Sequence, residues 1–152
     1  MINTVQKRPF KGNYETAEHR LVEQQVVARL IKGTGLTATK LPKRDVLDFV
    51  LTQDDKVVCF AEIRSRNISS DLEFFHLPLK KFNVIRNHYE ASKTITALVV
   101  QFTDKVMRAW LGKTREHRVV LWGTQSSDDG FDIEPTVKIE MNRFEEMWEV
   151  EA

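Results

Sequence analysis

A mixed α/β fold, with a central mixed sheet of four to five strands flanked by helices, follows from three features of the sequence. There is a long helical stretch near the start, a second one after the first hairpin, and strands that are apolar on both faces, as in sheets covered on both sides. Residues 13–32 carry the helical period: Ala17, Leu21, Val22, Val26, Val27, Leu30 and Ile31 recur at three- and four-residue spacings behind a cap at Asn13, and Gly33 ends the run. Its apolar residues occupy more than one stripe, which predicts a helix clasped between the sheet and another layer. Residues 36–41 suit a short strand, and Pro42, which a central strand would not tolerate, marks a boundary.

Residues 46–51 and 57–63 are short, apolar and β-branched or aromatic, and Gln53-Asp54-Asp55-Lys56 supplies turn chemistry between them, so they read as a hairpin. Alternation puts Val46, Val50, Val58 and Phe60 on one face and Leu47, Phe49, Leu51, Cys59 and Ile63 on the other. Residues 67–77 carry no clear period and suit a loop or an irregular helix. Pro78 fits a first helical position, and Leu79, Phe82, Ile85, Arg86 and Tyr89 form a stripe that runs to about Ala91. Residues 94–102 and 106–111 read as a second hairpin across Thr103-Asp104-Lys105, and 118–122 as a further strand. Residues 126–130 form a surface loop and 137–141 are extended; Asn142 and Glu145 have the spacing of a capping box for a short terminal helix around Phe144, Met147 and Trp148. No internal repeat is present. The expectation is one domain over residues 1–152, with a core of about 14–112 and a C-terminal extension, 113–152, that ends in an acidic tail.

Composition narrows the function classes. The chain has 152 residues, 41% hydrophobic and 30% charged, which is enough for a real core and argues against disorder. Its longest apolar runs are about a quarter of the roughly 20 residues a membrane span requires, so no membrane association is expected. A single cysteine, Cys59, permits no internal disulfide and disfavours zinc scaffolds, and no signal-like start is present; the expectation is an intracellular, cytoplasmic protein. The formal charge of +1 hides an asymmetry, because residues 1–127 hold 21 Lys and Arg against 13 Asp and Glu, whereas residues 128–152 hold 2 against 9.

Asp48 lies inside one apolar strand and Glu62 inside its neighbour, where an unpaired carboxylate is costly. If the turn is three residues long or bulged, paired residue numbers sum to 110, which sets Asp48 opposite Glu62 with Cβ atoms about 5 Å apart and Arg64 on the same face. A two-residue turn makes the sum 109 and pairs Asp48 with Ala61 instead. Both registers are open at this level, as is the plain alternative of two acids at the ends of a sheet. Two facing carboxylates make physical sense with a cation between them, and hard oxygen donors favour Mg or Mn over zinc.

The strand 46–51, the turn, and the run from Val57 through Glu62-Ile63-Arg64 to Arg66 resemble the core of the PD-(D/E)XK nuclease-like superfamily, the restriction-endonuclease-like fold. There an acid on one strand and Glu-x-Lys on the next form the active site, and a preceding helix often contributes a glutamate, here Glu23. The resemblance covers residues 14–112. It implies a metal-dependent nuclease that hydrolyses DNA phosphodiester bonds, RNA remaining open as substrate, with structure selectivity as an option. Asp48 and Glu62 would hold the metal, with the backbone carbonyl of Ile63 as a further ligand and Glu23 acting through water. Arg64 stands where the family usually has lysine; guanidinium cannot act as a base but can hold a phosphate. The alternative is therefore a catalytically weakened nuclease fold that binds nucleic acid or a protein partner. Arg66, Lys80, Lys81 and Lys43 are candidate contacts to nucleic acid, with solvated side chains as the competing reading. The small size implies that specificity comes from a homodimer, a protein partner or substrate shape. The resemblance also points to a phage or bacterial origin, with the host cytoplasm as its location if phage-encoded.

Other residues have plainer readings. Asp45, beside Lys43 and Arg44, suits a solvent ion pair, and Glu18 lies on an exposed helix face. His19, His76, His88 and His117 lack metal-ligand spacing, and Gly33-Thr34-Gly35 follows a helix rather than opening one. Cys59 reads as a packed thiol, and Trp110, Trp122 and Trp148 as core.

Overall fold

A computed structural model describes residues 17–42, 47–113, 117–122 and 133–151. Among the described residues, two α-helices, α1 (Ala17–Ile31) and α2 (Leu79–Ser92), accompany nine strands: β1 (Thr37–Lys40), β2 (Phe49–Gln53), β3 (Lys56–Ser65), β4 (Phe74–Pro78), β5 (Thr96–Gln101), β6 (Lys105–Leu111), β7 (Arg118–Trp122), β8 (Glu134–Glu140) and β9 (Glu145–Glu149). The main sheet has the order β1-β2-β3-β5-β6-β9, antiparallel except where β3 meets β5. That one parallel pair needs a long crossover, which β4 and α2 provide. A second, antiparallel sheet has the order β4-β8-β7.

Alternation along β3 and β5 divides the core into two layers. Cys59, Ala61, Ile63, Ala97 and Val99 pack with Phe49 and Leu51 against Val26 and Val27 of α1. Leu98, Val100 and Phe102 pack on the opposite side with Ile85 of α2 and with Phe75, Leu77, Val137 and Ile139 of the second sheet. Glu62 and Arg64 therefore emerge on the α2 side.

The mixed α/β class holds, but the main sheet has six strands rather than four to five, and a second sheet covers part of it. The sixth strand is the segment expected to form a terminal helix. Residues Met141–Arg143 make one 3-10 turn, and β9 then pairs with β6, setting Trp148 opposite Val106 while Phe144 is buried. Closing the open edge of β6 and burying Phe144 outweighs the local capping preference. Within 67–77, residues 74–78 are strand β4, whose alternation shows only once β8 is beside it. Pro78 is the cap residue rather than the first helical one. Leu47 packs in the layer opposite Phe49, and Val57 and Val58 are 54% and 45% exposed at the outer end of the hairpin, so the expected face assignment fails at both ends. Trp110 and Trp122 are exposed rather than core, and only Trp148 packs against it. Asn13, Val46, Asp45 and the 126–130 loop lie outside the described residues. Among the described residues, no helix is long and apolar enough to cross a membrane.

Gly112 ends β6 with φ 139°, and a Cβ built there would lie 3.2 Å from the Tyr89 Cβ of α2. Gly112→Ala combines backbone strain with a tight contact, so it should cost about 1–3 kcal/mol, read as a lowered denaturant midpoint at unchanged m-value.

Candidate active site

The site begins with a turn. Asp54 and Asp55 both have positive φ, 52° and 63°, as a two-residue type I′ turn requires. Such a turn gives pairs summing to 109, and Gln53↔Lys56 and Thr52↔Val57 do so. The ladder then shifts at a bulge that absorbs Val58, and Leu51↔Cys59, Val50↔Phe60 and Phe49↔Ala61 sum to 110. Continued by one residue, this register sets Asp48 against Glu62. The sequence left a two-residue turn and a bulge as alternatives, and the hairpin has both.

Asp48, expected inside the strand, instead lies in a bend just before β2, where the ladder has ended and its side chain takes over. The Ile63 N–H donates to Asp48 Oδ2 at 2.8 Å, while the Asp48 carbonyl accepts from the Leu41 N–H, also at 2.8 Å. Lys40, the last residue of β1, places its Nζ 3.4 Å from Asp48 Oδ1 and 3.1 Å from Glu23 Oε2 of α1. Glu23 thus joins Asp48 through an ammonium.

Glu62 is 2% exposed. Its Oε2 lies 2.9 Å from Lys81 Nζ, which comes from the first turn of α2, and 3.2 Å from Arg64 Nε. The Arg64 Nε lacks hydrogen-bond geometry to that oxygen, and Glu62 Oε1 is buried without a hydrogen-bond partner. Burial raises the Glu62 pKa to about 7 from its ordinary 4.5, with repulsion from Asp48 in the same direction and Arg64 and Lys81 opposing. Among the described residues, Glu23 and Asp48 therefore share Lys40, and Glu62 has both Lys81 and Arg64. Among the described residues, no group of three or more His, Cys, Asp and Glu is arranged to hold a metal ion. Each carboxylate instead has an ammonium against it.

The structure links Glu23 to Asp48 through Lys40, Asp48 to the Ile63 N–H, and Glu62 to Arg64, with Asp48 close enough to Glu62 to raise its pKa. Arg66 lies farther along, its Nη1 donating to the Ser65 carbonyl at 3.0 Å and its guanidinium 5.3 Å above the Phe75 ring. Lys80 is exposed beside Lys81, and Glu18 is exposed in the first turn of α1. Lys43 and Asp45 lie outside the described residues. Cys59 is buried, and burial raises its thiol pKa. His88 packs on Phe60 and His117 on Phe82, with ring centroids 4.6 Å apart in both pairs.

Sequence reasoning missed the roles of Lys40 and Lys81 as partners of the carboxylates. For Lys81 a signal existed: it lies four residues before the buried Ile85, on the stripe of α2 that faces the sheet. For Lys40 none did, because its partners come from another strand and from α1.

Comparison with curated proteins gives no match. Among solved structures, the Holliday junction resolvase Hjc of the archaeal hyperthermophile Archaeoglobus fulgidus is similar, with a TM-score of 0.50 and 8% identity over 82% of this chain and 88% of that one. At that identity the likeness shows the restriction-endonuclease-like fold alone. The family described as "Phage putative PDDEXK endonuclease" matches residues 9–147, which include both described helices, strands β1 to β8 and the first three residues of β9. The chain belongs to this PD-(D/E)XK nuclease family.

Proposed function

We propose that the protein hydrolyses phosphodiester bonds in DNA with the help of Mg²⁺ or Mn²⁺. The observation that carries this reading is the Asp48 carboxylate held on the Ile63 N–H, beside Glu62 and close enough to raise its pKa, in a member of a nuclease family. The donors suit a hard cation: two carboxylates, a backbone carbonyl at Ile63, and a buried Glu62 Oε1 that has no hydrogen-bond partner. Asp48, Glu62 and Ile63 would hold the ion, with Glu23 behind Lys40. When bound, it makes water acidic and stabilises charge on the phosphoryl oxygens.

The residues of the chain do the rest. The Ile63 N–H fixes the orientation of the Asp48 carboxylate. Lys40 holds Asp48 and Glu23 together across the pocket. Arg64 stays charged and steadies phosphoryl oxygens, while Lys81 supplies from α2 the ammonium that the family usually carries at the Arg64 position; unlike guanidinium, it can release a proton. On this reading the protein works in the cytoplasm of a phage's host cell, as a homodimer or with a protein partner that adds selectivity.

Arg64 and the ammonium groups of Lys40 and Lys81 against the carboxylates favour a second reading, a nuclease fold that binds DNA without cutting it. Incubation of the protein with plasmid, single-stranded and branched DNA in Mg²⁺ or Mn²⁺ decides between them. Cleavage should appear and should be lost in Asp48→Ala. Metal binding without cleavage supports the second reading, and cleavage indifferent to Asp48→Ala overturns the assigned site.

A further inference from the structure

The second sheet has one buried face, formed by Phe75, Leu77, Val137 and Ile139. Its other face departs from the solvated polar surface expected of a covering sheet. There, His76 of β4 and Trp122 of β7 lie flat on each other, with centroids 3.8 Å apart and planes 3° from parallel, although Trp122 is 55% exposed. The His76 Nδ1 is 3.3 Å from Thr136 Oγ1, which helps to fix the plane of the ring, and Lys138 Nζ sits 3.9 Å above the Phe74 ring. This face forms the floor of a cleft of about 720 Å³, within the range of ligand sites, whose wall includes Arg64 and Arg66 from β3 and the residue after it. Arg64 is shared with the pocket that holds Glu62.

We propose that this cleft holds an unpaired nucleotide of the DNA strand beside the scissile phosphate, its base stacked on the Trp122–His76 pair. The inference rests on the nuclease reading for what lies next to the cleft and adds the substrate class: DNA with a single-stranded segment at the site of cutting. In a duplex the base faces are covered by their neighbours, so only an unpaired base has a face to offer an aromatic platform. Charge supports the same occupant. Among the described residues, Arg64, Arg66 and Lys138 line the cleft along with Glu73 and Glu134, an excess of one positive charge, so stacking is the larger contribution of these residues and neutralisation of many phosphates the smaller. His76 adds to this, because burial and then Lys138 lower its pKa, favouring the neutral ring.

Fluorescence anisotropy in EDTA, where nothing is cut, tests the proposal with a labelled blunt duplex and with the same duplex carrying a short single-stranded tail. Wild type should bind the tailed duplex more tightly. Trp122→Ala should weaken that binding by at least about fivefold, the lower end of a base–aromatic stack, with blunt-duplex binding unchanged and with little salt dependence of the tail's increment. Trp122→Phe should retain most of the increment, and equal melting temperatures of the variants exclude misfolding as the cause. Equal affinity of wild type for both DNAs, or a preference for the tail that survives Trp122→Ala, overturns the proposal. Because the readout is metal-free binding, failure of the nuclease reading appears separately, as absence of cleavage in Mg²⁺ and Mn²⁺.

Discussion

Glu62→Gln is expected to cut cleavage severely and yet to stabilise the folded chain above neutral pH. The carboxyl of Glu62 is buried, and its pKa rises from 4.5 to about 7, with burial as the largest cause and Asp48 the next. The sign follows from proton linkage. A carboxyl whose folded pKa lies above its unfolded value binds more protons in the native state, so its favourable contribution is complete below the unfolded pKa and is lost as pH rises through the folded one. Between pH 4.5 and about 7 the wild-type protein should lose up to roughly 3 kcal/mol of stability through this one group. The amide of glutamine has no charge to desolvate. In EDTA the variant should therefore match wild type near pH 5 and exceed it near pH 8, read as denaturant midpoints. Its DNA cleavage should fall by about a thousandfold or more, beyond the 10- to 100-fold typical of losing a residue that only supports a metal ligand. Mg²⁺ affinity of the wild type should weaken about tenfold per pH unit below about 7, because the ion must then displace a proton. Wild-type stability that is flat from pH 5 to pH 8, with no gain from glutamine, would sink the account of Glu62.

Lys81→Ala should lower the cleavage rate by about 10²- to 10³-fold, the loss typical of removing one group that stabilises charge at a reacting centre. Lys81 is the closest cation to Glu62, at 2.9 Å against 3.2 Å for Arg64, and only Lys81 combines a hydrogen bond to that carboxylate with a side chain able to release a proton. Arg64→Ala should cost less in rate and more in substrate affinity. The two effects are separated by rescue: in the Lys81→Ala background, Arg64→Lys returns an ammonium to the strand position the family usually uses, and part of the rate should come back. Loss of Lys81 also removes a charge that holds the Glu62 pKa down, so the pH midpoint of metal binding should move upward. A Lys81→Ala protein with wild-type rate and an unmoved midpoint refutes this role.

Much of the fold is legible from short-range pattern. The helix that stops at Gly33, the helix from Leu79, and the strands near 49–53, 56–65, 96–101 and 118–122 follow from periods of 3.6 and 2 that any neighbour would preserve. Where a segment takes its conformation from a partner, local pattern misleads. Asn142 and Glu145 have capping-box spacing, but Glu145–Glu149 is a strand because β6 presents an unpaired edge. Residues 74–78 look irregular until β8 lies alongside. Trp122 reads as core by composition, yet the second sheet turns it outward onto His76.

The site divides in the same way. The sequence by itself determined that Glu62 stands in an apolar strand, that Asp48 lies at the neighbouring strand's start and that arginine occupies the lysine position, since these are matters of residue type and spacing. Whether Asp48 meets Glu62 was decided by a single bulge at Val58, because a strand's faces alternate at every residue and one extra residue exchanges them. Which cations hold the carboxylates was decided by packing. Lys40 reaches Asp48 because β1 pairs with β2 at the edge of the sheet, and Lys81 reaches Glu62 because α2 packs on the sheet's face.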